Sequence, residues 1–308
     1  MKEKYINPFT DFGFKKLFGE EANKDLLIDF LNVLLKDRIE IANLTYLKTE
    51  NLPASPMDRK VVFDLYCQAP NGDRFIIELQ KVKQEFFKDR SLYYTTFAIQ
   101  DQGTKGDWNY ELKGIYTIGI MDFVFDETHP DILMHEVRLV EINTQKIFYD
   151  KLTFLYLEMP KFLKQENELN TYFDKWLFVI RNLGRLQEKP IALQERVFEK
   201  VFKIAEIAQY SKEDRFYYEE SLKTYRDLKS SIDSAIASGY KEGMEKGIEK
   251  GIEKGIQEGI EKGLQEGMEK GKLAERINLA IQMKKDGETI EKIMRYTQLS
   301  KEEIEKIK

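Results

Sequence analysis

Two carboxylates interrupt β-rich, otherwise apolar runs: Asp64 in Val61-Val-Phe-Asp-Leu-Tyr-Cys67, and Glu78 in Arg74-Phe-Ile-Ile-Glu-Leu-Gln80. An unpaired carboxylate is costly in a buried strand, so each needs a partner or a cation. Side by side on adjacent strands, the two can share one hard cation. Mg²⁺ takes oxygen ligands, usually one or two carboxylates with waters and substrate phosphate. Such a cation polarises a phosphoryl group and lowers the pKa of a bound water. Gln80, two residues beyond Glu78 on the same strand face, is spaced to orient that water or to touch the phosphate. It cannot take a proton as a neutral lysine can. The same spacing also suits a structural salt bridge to Lys60, Lys81 or Arg90, because Asp…Glu-x-Gln is short and common.

Those residues must be held by a hairpin. Ala69-Pro-Asn-Gly-Asp73 between the two runs is a turn sequence. Strand alternation puts Phe63 and Leu65 on one face and Val62, Asp64 and Tyr66 on the other; in the second strand Ile76, Glu78 and Gln80 share a face. Apolar spacing predicts a helical turn over 11–18 and a helix over 22–36 before the hairpin, and a helix over 84–101 after it. The continuous apolar run 112–123 reads as a buried strand, and 136–142 and 152–159 read as two more. From about 166 the pattern turns helical, with segments at 167–186, 190–210 and 213–236.

The chain has 308 residues, 33% of them charged, and a net charge of −5. A protein of that charge does not attract a polyanion as a whole; contact with nucleic acid needs local basic patches or screening metal ions. One cysteine, Cys67, excludes an internal disulfide framework and fits a reducing compartment; its apolar neighbours point to packing. The opening residues lack the apolar run of a signal peptide, and no stretch approaches ~18 apolar residues. A cytoplasmic protein without a membrane span is therefore expected. With only His129 and His135, a His-rich metal centre is not expected, and nothing marks either as part of a Ser/His/Asp triad.

Taken together, several segments resemble the PD-(D/E)XK nuclease superfamily and, more narrowly, the Rpn family of recombination-promoting nucleases, also described as PD-(D/E)XK transposases. The hairpin resembles the superfamily core. Asp11-Phe-Gly-Phe-Lys-Lys-Leu-Phe-Gly19 is similar to the Rpn N-terminal signature, Phe86-Phe-Lys-Asp-Arg-Ser-Leu-Tyr-Tyr94 to the segment after the hairpin, and Gly114–Phe123 to the next core strand. The resemblance implies a restriction-endonuclease-like α/β core, a mixed sheet flanked by helices, with Asp64, Glu78 and Gln80 as the catalytic set. Asp64 and Glu78 would hold Mg²⁺, or Mn²⁺ or Ca²⁺. Gln80 stands where the wider superfamily has lysine, which leaves the general base open. Asp11 is the candidate third metal ligand, with a helix N-cap as the alternative. Lys15 and Arg90 are candidate phosphate contacts, or surface ion pairs. The pair Tyr93-Tyr94 can stack on bases, or one of them can be core.

Glycine recurs at every fourth position from Gly239 to Gly271, nine times, and an apolar residue follows it from Met244 to Met268. Helix-interior glycine costs roughly 1 kcal/mol relative to alanine. Glu245, Glu249 and Glu253 sit at i,i+4, as do Lys246, Lys250 and Lys254, so like charges meet; Lys246 and Glu249 offset this in part. A helix supported by a partner is the expected state, with a lone solvated helix or disorder as alternatives. Because a period of four advances the stripe ~40° per repeat, a packed pair must supercoil right-handedly or break register. Leu273 to Lys308 reads as three short helices, the last opened by the capping box Ser300-Lys-Glu-Glu303. That suits a small capping or dimerisation bundle better than a helix-turn-helix, since no basic recognition helix is evident.

The expected organisation is a nuclease-like domain over 1–165, a helical extension over 166–236, the repeat over 237–272 and a small helical segment over 273–308. The expected function is metal-dependent DNA endonuclease activity that promotes recombination, in a homo-oligomer formed through the C-terminal helices. The competing expectation is an oligomerising, DNA-associated protein with weak or no turnover.

Overall fold

A computed structural model describes residues 3–51, 61–103 and 106–307. They fall into two compact units, Met1–Ser230 and Ser231–Lys308. In the first unit, α1 (Asp11–Phe18) and α2 (Lys24–Leu34) precede the strands. β1 (Thr45–Tyr46) joins a six-stranded sheet, and β2 (Glu50–Asn51) pairs with β3 (Val61–Val62) in a separate two-stranded ladder. Then come β4 (Leu65–Gln68), β5 (Arg74–Gln80), α3 (Phe87–Gln100), β6 (Ile115–Met121), β7 (Met134–Glu141), β8 (Lys146–Glu158), α4 (Tyr172–Asn182) and α5 (Arg196–Ala205). The sheet order is β1-β4-β5-β6-β8-β7. β5, β6 and β8 run parallel; the other neighbours are antiparallel.

The sheet is mixed because α3 carries the chain from β5 over to the parallel β6, whereas the Ala69–Asp73 turn returns β4 directly onto β5. One face packs Leu65, Cys67, Phe75, Ile77, Ile118 and Leu155 against α1, α2, α4 and α5. The other packs Tyr66, Ile76, Ile115, Met121 and Tyr156 against α3. Both faces are covered, which is why 115–121 is continuously apolar. This is the restriction-endonuclease-like core expected from the sequence. Cys67 is buried and unpaired, a packing residue.

Three expectations change. Strand pairing breaks at Phe63-Asp64, between β3 and β4. Phe63 therefore joins Tyr66 and Ile76 in the α3-side cluster instead of following Leu65. The outer strands form one hairpin, and β8 begins six residues earlier than its apolar run, at Lys146. That first half is exposed, so burial left no apolar pattern there; the Glu141 carboxylate instead ties the turn by accepting from the N–H groups of Asn143 and Thr144. Finally, 213–236, the repeat and 273–285 are one helix, α6 (Lys212–Lys285), with no stop between them. Glycine weakens a helix but keeps its N–H, so the i→i−4 ladder is not broken.

In the second unit, α6 from Ser231 onward includes the repeat, followed by α7 (Ile290–Thr297) and α8 (Lys301–Lys306). Ala280, Ile293, Leu299 and Ile304 form its small core, and Ser300 with Glu303 makes the capping box. Every apolar residue of the repeat from Met244 to Met268 is exposed, and a Cβ added to any of its nine glycines would meet nothing within 4 Å. The ion pairs that form join Glu242 to Lys246, Lys254 to Glu258 and Glu266 to Lys270, where the fourth residue of the tetrad changes sign. The i,i+3 compensation expected from Lys246 and Glu249 is not among the ion pairs of the described residues. No helix among the described residues is long and apolar enough to cross a membrane.

Candidate active site

Thr10 caps α1, its hydroxyl accepting from the N–H of Gly13. The alternative reading of Asp11 as the N-cap is thereby replaced: Asp11 is the first helical residue, and its carboxylate accepts from Lys81 Nζ at 2.6 Å. Gly13 belongs to the same construction, because a Cβ there would lie 2.2 Å from the carbonyl oxygen of Asn7. The helix sets Lys15 beside Asp64, in a cleft of about 410 Å³ that Phe12, Tyr46 and Thr49 also line.

The break at Phe63-Asp64 turns Asp64 towards β5. The carboxylate Oδ2 accepts from the N–H of Leu79 at 2.7 Å, and the N–H of Asp64 donates to Glu78 Oε1 at 3.3 Å. Glu78 stands in register with Gly119 of β6 and Tyr156 of β8. Glycine is required at 119, since a Cβ would come within 2.9 Å of the Tyr156 ring. That leaves a narrow recess lined by Glu78, Gln80, Arg90, Ser91, Tyr94 and Tyr156. Gln80 is held at both ends of its amide: Nε2 donates to Glu78 Oε2 at 3.3 Å, and Oε1 accepts from the Arg90 guanidinium. Arg90 lies over the ring of Tyr94, which itself packs edge-on to Phe63. Tyr94 is thus tied to the core, while Tyr93 is exposed.

The structure brings Asp64, Glu78 and Gln80 together at the carboxyl end of β5, with Lys15 on one side and Arg90 on the other. Asp11 stands outside the carboxylate pair, and no group of three or more His, Cys, Asp or Glu side chains among the described residues is placed to hold a metal. Lys60 lies outside the described residues, Lys81 pairs with Asp11, and neither Asp64 nor Glu78 forms an ion pair among the described residues. Their electrostatics reflect this. Burial and the negative charge of Asp11 raise the Asp64 pKa, against the Leu79 N–H, Lys15 and Lys81. Burial and the charge of Asp64 push Glu78 up to about 8, against the Asp64 N–H and Arg90. Two adjoining carboxylates short of positive charge are an all-oxygen donor set that fits a hard divalent cation.

A model of PD-(D/E)XK nuclease family transposases matches residues 8–235. The chain belongs to that family. The match takes in all the elements that carry the site. No curated protein and no solved structure matches the chain. As a member of a PD-(D/E)XK nuclease family, it is assigned nuclease-type function.

One cluster has no counterpart among the residues singled out from the sequence. Glu158, at the end of β8, is fully buried. It accepts from the N–H groups of Phe125 and Asp126, from Lys161, and contacts His135 Nε2 at 2.9 Å. Burial raises its pKa, but those hydrogen bonds outweigh burial and hold the carboxyl below its ordinary value. It is closed to solvent and fixes the loop after β6. The cue was available: Leu155-Tyr-Leu-Glu-Met159 is another apolar strand interrupted by a carboxylate.

Proposed function

We propose that the chain is a metal-dependent DNA endonuclease that hydrolyses phosphodiester bonds and thereby promotes recombination. The observation that carries this reading is the pair Asp64 and Glu78, joined by the Asp64 N–H, with neither in an ion pair among the described residues. They would hold Mg²⁺, or Mn²⁺ or Ca²⁺ in its place. When bound, the ion supplies Lewis-acid activation of the phosphodiester and a more acidic water. Asp64 is fixed for this by the Leu79 N–H, so it needs no reorientation. Gln80 acts by position: with its amide bound to both Arg90 and Glu78, it keeps the guanidinium beside the carboxylate. Arg90 and Lys15, on opposite sides of the pair, are the groups placed to hold non-bridging phosphate oxygens. Asp11 contributes through its ion pair with Lys81 and its charge on Asp64. Gln80 takes no proton, so the proton of the attacking water must pass to another acceptor, such as solvent or the phosphate itself.

Homo-oligomerisation through the glycine repeat belongs to the same proposal. Nine helix glycines cost roughly 9 kcal/mol relative to alanine, and the solvated stripe recovers none of it within this chain. A second copy with its own glycine stripe allows the close backbone approach that would recover part of it.

The test is plasmid cleavage with Mg²⁺, Mn²⁺ or Ca²⁺ by wild type, Asp64→Ala and Glu78→Ala. Activity in wild type alone supports the reading; equal nicking by all three would sink it. A wild type that binds DNA and cuts none would favour the non-catalytic alternative.

A further inference from the structure

The carboxyl edge of the parallel strands carries a second polar site. The N–H of Asp122, the residue after β6, donates to the carbonyl of Gln80 at 2.8 Å. Asp122 also lines a cavity of about 330 Å³, together with Glu3, Arg181, Arg185, Arg226 and Lys229. Two of these cations are neutralised locally: Arg226 pairs with Glu3, and Lys229 with Asp122 at 3.1 Å. The other two are not. Arg181 donates to the carbonyl of Met159, and Arg185 has no carboxylate partner among the described residues. Burial and the charge of Arg185 lower the pKa of Arg181, against the charge of Asp122. Two guanidinium groups thus face one cavity, their mutual repulsion only partly offset by Asp122, which Lys229 already pairs, in a protein whose net charge is −5. The turn that carries Arg185 packs closely: a Cβ on Gly184 would lie 3.0 Å from Asn7 Cα.

We propose that Arg181 and Arg185 bind a non-scissile phosphate of the DNA strand whose scissile phosphate lies at Asp64 and Glu78. This rests on the nuclease reading above. Guanidinium groups present paired N–H donors that match phosphate oxygens. The cavity is at the small end for a complete ligand, and its cationic heads suit an anionic group better than an apolar body. It is one residue away, through the Asp122–Gln80 link, from the strand end that bears the carboxylate pair. Both sites open at the carboxyl ends of parallel strands, where open α/β sheets bind ligands.

The test uses the full chain carrying Glu78→Gln to prevent cleavage, and fluorescence anisotropy of a labelled DNA duplex over a range of salt. Adding Arg185→Ala is expected to weaken binding about five- to tenfold near 0.1 M salt and to lower the log–log salt slope by about 0.9, the loss of one phosphate contact. Arg185→Lys is expected to keep the slope. Arg185 is exposed, so its variants are expected to melt with the parent, which separates lost contact from lost fold. Unchanged affinity and slope in Arg185→Ala would overturn the proposal. So would protection from heat by inorganic phosphate that Arg185→Ala abolishes while DNA binding stays unchanged, since the ligand would then be free phosphate. If the wild type cuts no DNA but Arg185→Ala still loses the slope, the cleft stands and the catalytic reading fails.

Discussion

The Asp64 N–H donates to Glu78 Oε1 at 3.3 Å, while the Asp64 carboxylate accepts from the Leu79 N–H at 2.7 Å. The two acids therefore fix each other through the backbone and repel each other through their side chains. Removing either charge is expected to separate function from stability. Asp64→Asn and Glu78→Gln should lower cleavage at least about 10²-fold, the scale of losing one preorganised electrostatic group. In metal-free buffer at neutral pH both should melt at or above the wild-type temperature. Calorimetry beside plasmid cleavage checks this, and a variant that loses both activity and stability would count against a strained carboxylate pair.

The raised Glu78 pKa makes a signed prediction. Below the ordinary carboxylate pKa of 4.5 the group is protonated both folded and unfolded. Between 4.5 and about 8 the unfolded chain ionises first, so metal-free stability falls as pH rises through this window, then levels off. The stability advantage of Glu78→Gln over wild type should open across the same window, and saturating Mg²⁺ should close it. Below about pH 8 the metal competes with a proton, so its affinity should drop about tenfold per pH unit. Isothermal titration at several pH values reads that slope directly.

Glu158 behaves in the opposite sense. Its lowered pKa contributes stability above about pH 4.5 that is lost as pH falls. Glu158→Ala removes the counter-charge of Lys161, which keeps its carbonyl acceptors, and strands two backbone N–H groups; it should cost about 3–5 kcal/mol, with the difference from wild type shrinking in acid. Urea melts at pH 7 and pH 4 measure both quantities.

Gly13→Ala tests why glycine stands inside α1. The added Cβ would lie 2.2 Å from a backbone oxygen that cannot rotate away. The helix should shift by enough to cost about 1–3 kcal/mol, and to move Lys15 relative to Asp64. A fall in cleavage larger than the loss of folded protein would show that the helix sets the geometry of the site.

For the repeat, light scattering of the intact chain against a truncation after Ser230 is expected to show a mass drop to monomer. Equal association states would remove the repeat from assembly.

The sequence was legible where burial and chemistry conflict. Asp64 and Glu78 stood out because a carboxylate in an apolar strand needs a reason, and helices α1, α2 and α3 followed from apolar spacing. The flip at Phe63-Asp64 was not legible, because strict alternation assumes an unbroken strand, and one unpaired step moves a side chain to the other face. The cationic cavity could not be read either: Arg181 and Arg185 are four residues apart in the sequence, but only the fold brings them to Asp122. The continuity of α6 was hidden because nine poor helix formers read as a boundary, although none of them removes a hydrogen-bond donor.

The four-residue period also bears on the length of α6. Successive tetrads are near-identical to one another, so one unit can be exchanged for the next. Gaining or losing one unit keeps the reading frame, changes the helix length by about 6 Å and rotates the downstream part of α6 by about 40°. Within one chain, no glycine or apolar residue of the repeat would find itself in a new environment, since all of them face open space. The repeat can therefore change length by whole tetrads without a steric clash in this chain, while the Asp64–Glu78 hairpin, bounded by the close contacts at Gly13 and Gly119 and by two backbone-to-carboxylate hydrogen bonds, cannot.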